Sequence, residues 1–264
     1  MNNTVELSRR MHRVLCVMDE ELRLRIKEQR FYLVQSKARL LPPFANIVAE
    51  ADALEMEYVE TIPDYYDPEN SDMSEVYDAA FHHGLEHYDL LQDMKSRTIL
   101  SIVAGMYHHF DKCIRTMLAR ELRQGGWVIG KNTRDIIWKC SWRQLESLMR
   151  SFGWDMAKAP GYTQLEAMRL VVNVFKHGEG VAFQDLKNQF PQFIPAMAKD
   201  ASPWSYVDHT DMAIEEHHLE PFSDAIIGFW EALPGQLSIV PDVKTLVVPQ
   251  FFGDALRADL KTSQ

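Results

Sequence analysis

The sequence predicts an all-α protein with a minor strand element near the C-terminus. Three observations carry that prediction. Apolar residues recur at three- and four-residue intervals in segment after segment of the 264-residue chain, the spacing of amphipathic helices. Those segments are divided by turn-forming pairs, Pro42-Pro43, Gly125-Gly126 and Pro234-Gly235, which helices do not cross readily. Strand character is confined to Leu237–Pro241 and Leu246–Pro249 in the tail.

In chain order, the spacing of Leu7, Met11, Val14, Leu15, Met18, Leu22 and Ile26 predicts a first helix over Val5–Lys37. After the proline pair, Ile47, Val48, Ala51 and Leu54 predict a helix over Phe44–Val59. Ile62–Ser71 is rich in turn formers and reads as a loop. A helix over Ser74–Gln92 follows. The widest apolar stripe, Ile99, Ile102, Val103, Met106, Phe110, Cys113, Ile114, Met117 and Leu118, predicts a helix over Lys95–Arg123. Ser141 opens a helix that ends near Phe152-Gly153, and Pro160-Gly161 precedes a helix over Gln164–His177 with Gly178 as its cap. Phe183–Phe190 and Glu215–Leu233 complete the helices. The expected organisation is an N-terminal helical region (1–94), a helical core (95–235) and a tail (236–264).

Composition is that of an ordinary soluble chain, 46% hydrophobic and 25% charged. No apolar run approaches the roughly 18 residues of a membrane span, and the N-terminus lacks the apolar stretch of a signal peptide. Cys16, Cys113 and Cys140 are widely spaced on apolar patterns, as expected of reduced cysteines at core positions in a cytoplasmic protein. The net charge of −10 argues against direct nucleic-acid binding, which rests on Lys and Arg at phosphates. The charge is uneven: from Leu40 through Met94 there is no Lys or Arg, while fourteen acidic residues fall between Glu50 and Asp93. Tyr58, Tyr65, Tyr66 and Tyr77 are interleaved with them. Aromatic anchors among carboxylates suit a basic protein partner, and Asp64, Tyr65, Tyr66, Asp67, Glu69 and Asp72 are the candidate contact residues.

Few motifs carry chemistry. His83 and His87 stand four apart and His217 and His218 adjoin, but no His-Glu-x-x-His order is present, and these read as surface histidines with no metal. There is no P-loop, dinucleotide fingerprint or nucleophile elbow, and no cofactor is expected. The most pointed segment is Asn173-Val-Phe-Lys-His-Gly-Glu-Gly180. Asn173 and His177 are one turn apart on one face. Read plainly, it is a helix end in which His177 favours the dipole and Gly178 caps. On the preceding helix, Tyr107 and Phe110 read as core and His108 as solvated, with Asp111 open between the two.

With Tyr107–Lys112 upstream and Pro191-Gln-Phe193 downstream, this segment resembles the HEPN-like helical superfamily over about Ser96–Phe193. The resemblance implies a helical bundle that pairs into a homodimer through its core. It also implies an Arg-Asn-x-x-x-His signature of metal-independent ribonucleases. Here Asn173 and His177 match, but Val172 stands where the arginine belongs. Arg169 lies on the same face, though its eight-residue offset puts it about 12 Å from His177 along the axis. A degenerate signature on an acidic chain resembles the protecting member of a toxin locus. The leading expectation is therefore a non-catalytic cytoplasmic immunity or antitoxin-type protein that neutralises a basic toxin, most plausibly a nuclease. The alternatives are a ribonuclease in phage defence with His177 as base, Asn173 as orienter and Arg169 as the cation, and a dimeric interaction scaffold.

Overall fold

A computed structural model describes residues 4–6, 12–61, 72–195, 207–239 and 245–262. The fold is all-α, with two minor two-stranded sheets that join the N-terminal segment to the tail. Strand β1 (Thr4–Glu6) and strand β2 (His12–Cys16) come first, then helix α1 (Asp19–Leu40) and a 3-10 turn at Pro42–Phe44.

The expected helix over Val5–Lys37 thus begins only at Asp19. Val14, Leu15 and Val17 are all buried, which a one-faced helix at the surface could not achieve for adjacent residues. A strand enclosed on both sides can. β2 pairs antiparallel with β3 (Gln236–Ile239), Leu15 opposite Leu237, with an irregularity between Arg13 and Leu15. Its other side lies on the long helix: the Cys16 N–H donates to Glu121 Oε2 at 3.0 Å, and the Trp127 indole N–H donates to the Arg13 carbonyl at 3.0 Å. A Cβ at Gly125 would overlap that same carbonyl, so the glycine pair that ends the helix also admits the strand. β1 pairs with β4 (Thr245–Val247), Val5 opposite Leu246. The tail therefore has the strands its sequence suggests, with partners some 230 residues upstream.

Helix α2 (Ile47–Glu60) is followed by α3 (Met73–Gln124), 52 residues without interruption. The two helices expected over Ser74–Gln92 and Lys95–Arg123 are one, because no Gly or Pro stands between Gln92 and Lys95 to end the hydrogen-bond ladder. At 1.5 Å per residue α3 is about 78 Å long, and the 94/95 division lies inside it. Its N-terminal half pairs with α2 as a helical hairpin. Gly84 sits under Ala51, where a Cβ would come within 3.1 Å of the Ala51 carbonyl oxygen.

The C-terminal half of α3 is the centre of the core. Ile102, Val103, Met106, Phe110, Ile114 and Leu118 are buried there. Around it lie α4 (Lys131–Lys139), α5 (Trp142–Ser151), α6 (Tyr162–His177), α7 (Val181–Gln189), α8 (Leu219–Ala232) and α9 (Gln250–Thr262). Phe110 meets Phe229 edge-on, ring centres 4.9 Å apart, and Trp142 and Trp230 flank it at 5.7 and 5.5 Å. Ser141 opens α5 as expected, with a capping box to Gln144. Helices α4 and α9 have no counterpart in the sequence reading. Among the described residues, no helix is long and apolar enough to cross a membrane.

Candidate functional site

Helix α6 carries the residues singled out by the sequence. Leu165, Ala167, Met168, Leu170, Val171, Val172 and Val174 are buried, so it is enclosed on most of its circumference. Val172, the residue before Asn173, is 1% exposed and belongs to the core. Asn173 is half-buried, and His177 is exposed at the helix end.

The glycines after His177 have a geometric cause. Gly178 has φ +69° and Gly180 φ +149°, conformations that cost an L side chain steric strain. The Gly178 N–H donates to the Val174 carbonyl at 2.8 Å and closes the helix. The turn then presents Glu179, whose Oε1 accepts the His209 backbone N–H at 2.9 Å. The His209 ring packs over Gly178: a Cβ there would come 3.3 Å from His209 Nε2. The Gly-Glu-Gly segment is thus a dock for the 3-10 turn His209–Asp211.

Arg169 is drawn away from His177. Its Nε and Nη2 donate to Glu166 Oε1 and Oε2 at 3.1 and 3.0 Å, a two-point ion pair in which both side chains are largely buried. The pair faces the seam between α3, α5 and α6. Tyr107 is buried in that seam, and burial, then the Asp111 carboxylate, push its hydroxyl above the ordinary tyrosine value, with Arg169 opposing. Burial also raises Tyr162, helped by its hydrogen bond to Glu146 Oε2 at 2.7 Å. Asp111, open in the sequence, accepts Arg115 Nε at 2.9 Å. Burial pushes up the thiols of Cys113 and Cys140. The seam therefore holds buried hydroxyls and paired charges; of the three cysteines, Cys140 is buried beside Arg115, Cys113 is half-buried on the α1 side near Arg25, and Cys16 is exposed rather than in the core. Asn173 and His177 share the exposed end of α6, while Arg169 belongs to a separate buried cluster.

Sequence reasoning missed Arg115, Glu121 and Asp259, all buried charges. Arg115 had a local signal, since it follows Asp111 by four residues. Asp259 had none, because its partners lie 126 to 129 residues away; Glu121 takes its neighbour Arg120 as well as the Cys16 N–H 105 residues upstream, and only the second of these explains its burial.

The second candidate is the acidic hairpin. Asp64, Tyr65, Tyr66, Asp67 and Glu69 lie outside the described residues. Asp72 is the exposed N-cap of α3: its side chain accepts the Ser74 N–H at 3.0 Å, and that bond lowers its pKa. Tyr77, Phe81 and Val48 on the hairpin are 56%, 53% and 60% exposed. His83 tilts against Tyr58, ring centres 5.5 Å apart. No cluster of metal-ligating side chains occurs among the described residues. No family model, curated protein or solved structure matches the chain.

Proposed function

We propose that this chain is a non-catalytic cytoplasmic protein of the immunity or antitoxin kind, which binds and neutralises a basic bacterial toxin, most plausibly a nuclease. The observation that carries the reading is the hairpin. It is built from the stretch between Leu40 and Met94 that has no Lys or Arg, and it presents aromatic and apolar residues to solvent among its carboxylates. A surface of one sign steers an oppositely charged partner, and exposed aromatics anchor it. The toxin contacts fall on Asp64, Tyr65, Tyr66, Asp67, Glu69 and Asp72, between the end of α2 and the start of α3.

Two features support a non-catalytic role within a HEPN-like frame. Val172, at the place of the signature arginine, faces the core. Arg169, the nearest replacement, is held by Glu166 at 3.0 Å. A ribonuclease needs a cation free to meet phosphate oxygens as charge develops.

The test begins with affinity capture from the native host, which should return one dominant basic protein. Changing Asp64 and Asp67 to Asn, Glu69 to Gln and Asp72 to Asn should then weaken binding to that protein, and added salt should weaken the wild-type complex. Unchanged affinity in the four-residue variant removes the basis for the contact surface. Cleavage of total RNA by the purified chain without added metal would overturn the non-catalytic reading.

A further inference from the structure

Two exposed faces of this chain complement one another. The first is on α1, where Arg23, Lys27 and Arg30 recur on one side of the helix with Leu24, Phe31 and Val34. Phe31 is 65% exposed and Val34 59%. Most of these residues line a shallow trough of about 560 Å³, bordered by Glu231 of α8. Of the α1 carboxylates, Glu21 pairs with Arg25 and Arg120 and Glu28 with Arg25, which leaves Asp19 and Glu20 in the first turn, before the basic residues. Among the described residues, Arg23, Lys27 and Arg30 form no ion pair. The face is basic, apolar and uncovered.

The second face is on the side of the α2–α3 hairpin. Val48 of α2 and Phe81 and Leu85 of α3 border a groove of about 240 Å³, with Gly84 as its floor and Asp52 and Glu55 along its wall. Asp78 and Asp89 are exposed one turn from Phe81 and Leu85. No Lys or Arg occurs in this part of the chain. This face is acidic and apolar.

We propose that the α1 face of one molecule seats in the hairpin groove of a second copy of the same chain, and the reverse, forming a reciprocal two-fold dimer. Charge matches charge: Arg23, Lys27 and Arg30 meet Asp52, Glu55, Asp78 and Asp89. The groove is lined from Phe81 to Tyr88 on α3, seven residue steps or about 10 Å of helix, which takes the two turns of α1 that carry Lys27, Arg30, Phe31 and Val34. Phe31 and Val34 supply the apolar anchors for the space over Gly84. A molecule cannot fill its own groove in this way, because the opposite side of its α1 is fixed to the body. The buried Gln29 amide donates to Ser223 Oγ at 3.1 Å on α8, and the Tyr32 ring closes over Gly105 of α3. A two-fold arrangement covers both faces of both copies and leaves no open end for further growth. The proposal uses the side of the hairpin and stands independently of the toxin reading.

Sedimentation velocity of the full chain over a concentration series tests it. The wild type is expected to dimerise. A variant with Arg23→Glu, Lys27→Glu and Arg30→Glu, and another with Asp52→Lys and Glu55→Lys, should each dimerise roughly tenfold or more weakly. An equimolar mixture of the two should recover the dimer, since each then offers the other opposite charge on both faces. Both sets combined in one chain should recover it too, and the melt of that chain controls for folding. A wild type that stays monomeric overturns the proposal. So does a dimer indifferent to both sets, or a failure of the mixture and the combined chain to recover. A monomeric wild type whose binding to anionic phospholipid vesicles is lost in the α1 variant would assign that face to a membrane surface instead.

Discussion

Asp259 and Arg115 hold opposite ends of the same nine-residue helix, α4. The Asp259 carboxylate accepts the backbone N–H groups of Gly130, Asn132 and Thr133 at 3.0, 3.0 and 2.8 Å and the Asn132 side-chain amide at 2.9 Å. The Arg115 guanidinium donates to the carbonyls of Ile137 and Cys140 at 2.7 and 2.9 Å. A negative group thus sits at the N-terminus and a positive one at the C-terminus, the orientation the helix dipole favours. A helix this short is not stable alone in water. It exists here because α9 and α3 supply the partners its ends lack.

Asp259→Asn should lower stability by about 1–3 kcal/mol, the cost of weakening hydrogen bonds at a buried site. Arg115→Met should cost about 3–5 kcal/mol, because it leaves Asp111 without its partner as well. The two losses should not add. Once either end is released α4 frays, so the double variant should fall short of the sum by about 0.5–3 kcal/mol. Denaturant melts of the four proteins measure this, and strict additivity would show the ends to be independent.

Asp259 also sets an acid limit. Burial raises its pKa, but the hydrogen bonds from Thr133 and Asn132 outweigh that and hold it at about 2. In the unfolded chain the same group titrates near 4. The unfolded state therefore takes up the proton first as pH falls, so the stabilisation is present above about pH 4 and is lost between about 4 and 2. Melting temperature followed through that window should drop more steeply in the wild type than in Asp259→Asn. Parallel curves would assign the acid transition to other carboxylates.

Gly125 and Gly126 should respond differently to alanine. At Gly125 the new Cβ overlaps the Arg13 carbonyl, so β2 must shift, and a loss of about 1–3 kcal/mol is expected. At Gly126 the Cβ meets nothing within 4 Å, and only the φ of +88° opposes it, at about 1 kcal/mol. Hydrogen exchange should show the β2 amides opening in the first variant and unchanged in the second.

At the end of α6, Asn173→Ala with His177→Ala should leave the fold intact, since His177 is exposed and a favourable dipole interaction near a helix C-terminus is worth only about 0.3–1 kcal/mol. Toxin protection should survive as well. Gly178→Ala should cost more, about 1–2 kcal/mol for the left-handed backbone, and should loosen the His209 turn. A normal melt with protection abolished in the double variant would restore the catalytic reading of Asn173 and His177.

Periodicity determined much of this molecule before any coordinates. The stripe from Ile99 to Leu118 specified the central helix, Ser141 with Gln144 specified the start of α5, and Gly178 the end of α6. These are local signals, set by neighbours within four residues. Tertiary structure decided the rest. Val14 and Leu15 carry helical spacing, yet form a strand, because Gln236–Ile239 and the Glu121 side of α3 bury them from both sides. Helix α4 has little internal stability and depends on Asp259 and Arg115. Glu166 and Arg169 stand at (i, i+3), a local signal the sequence analysis did not use, and the burial of the pair beside Tyr107 depends on how α3 and α6 pack. A sequence records which residues can pair locally. Which carboxylate reaches a helix end more than a hundred residues away is fixed only when the chain closes around its core, where an unpaired buried group costs too much to remain.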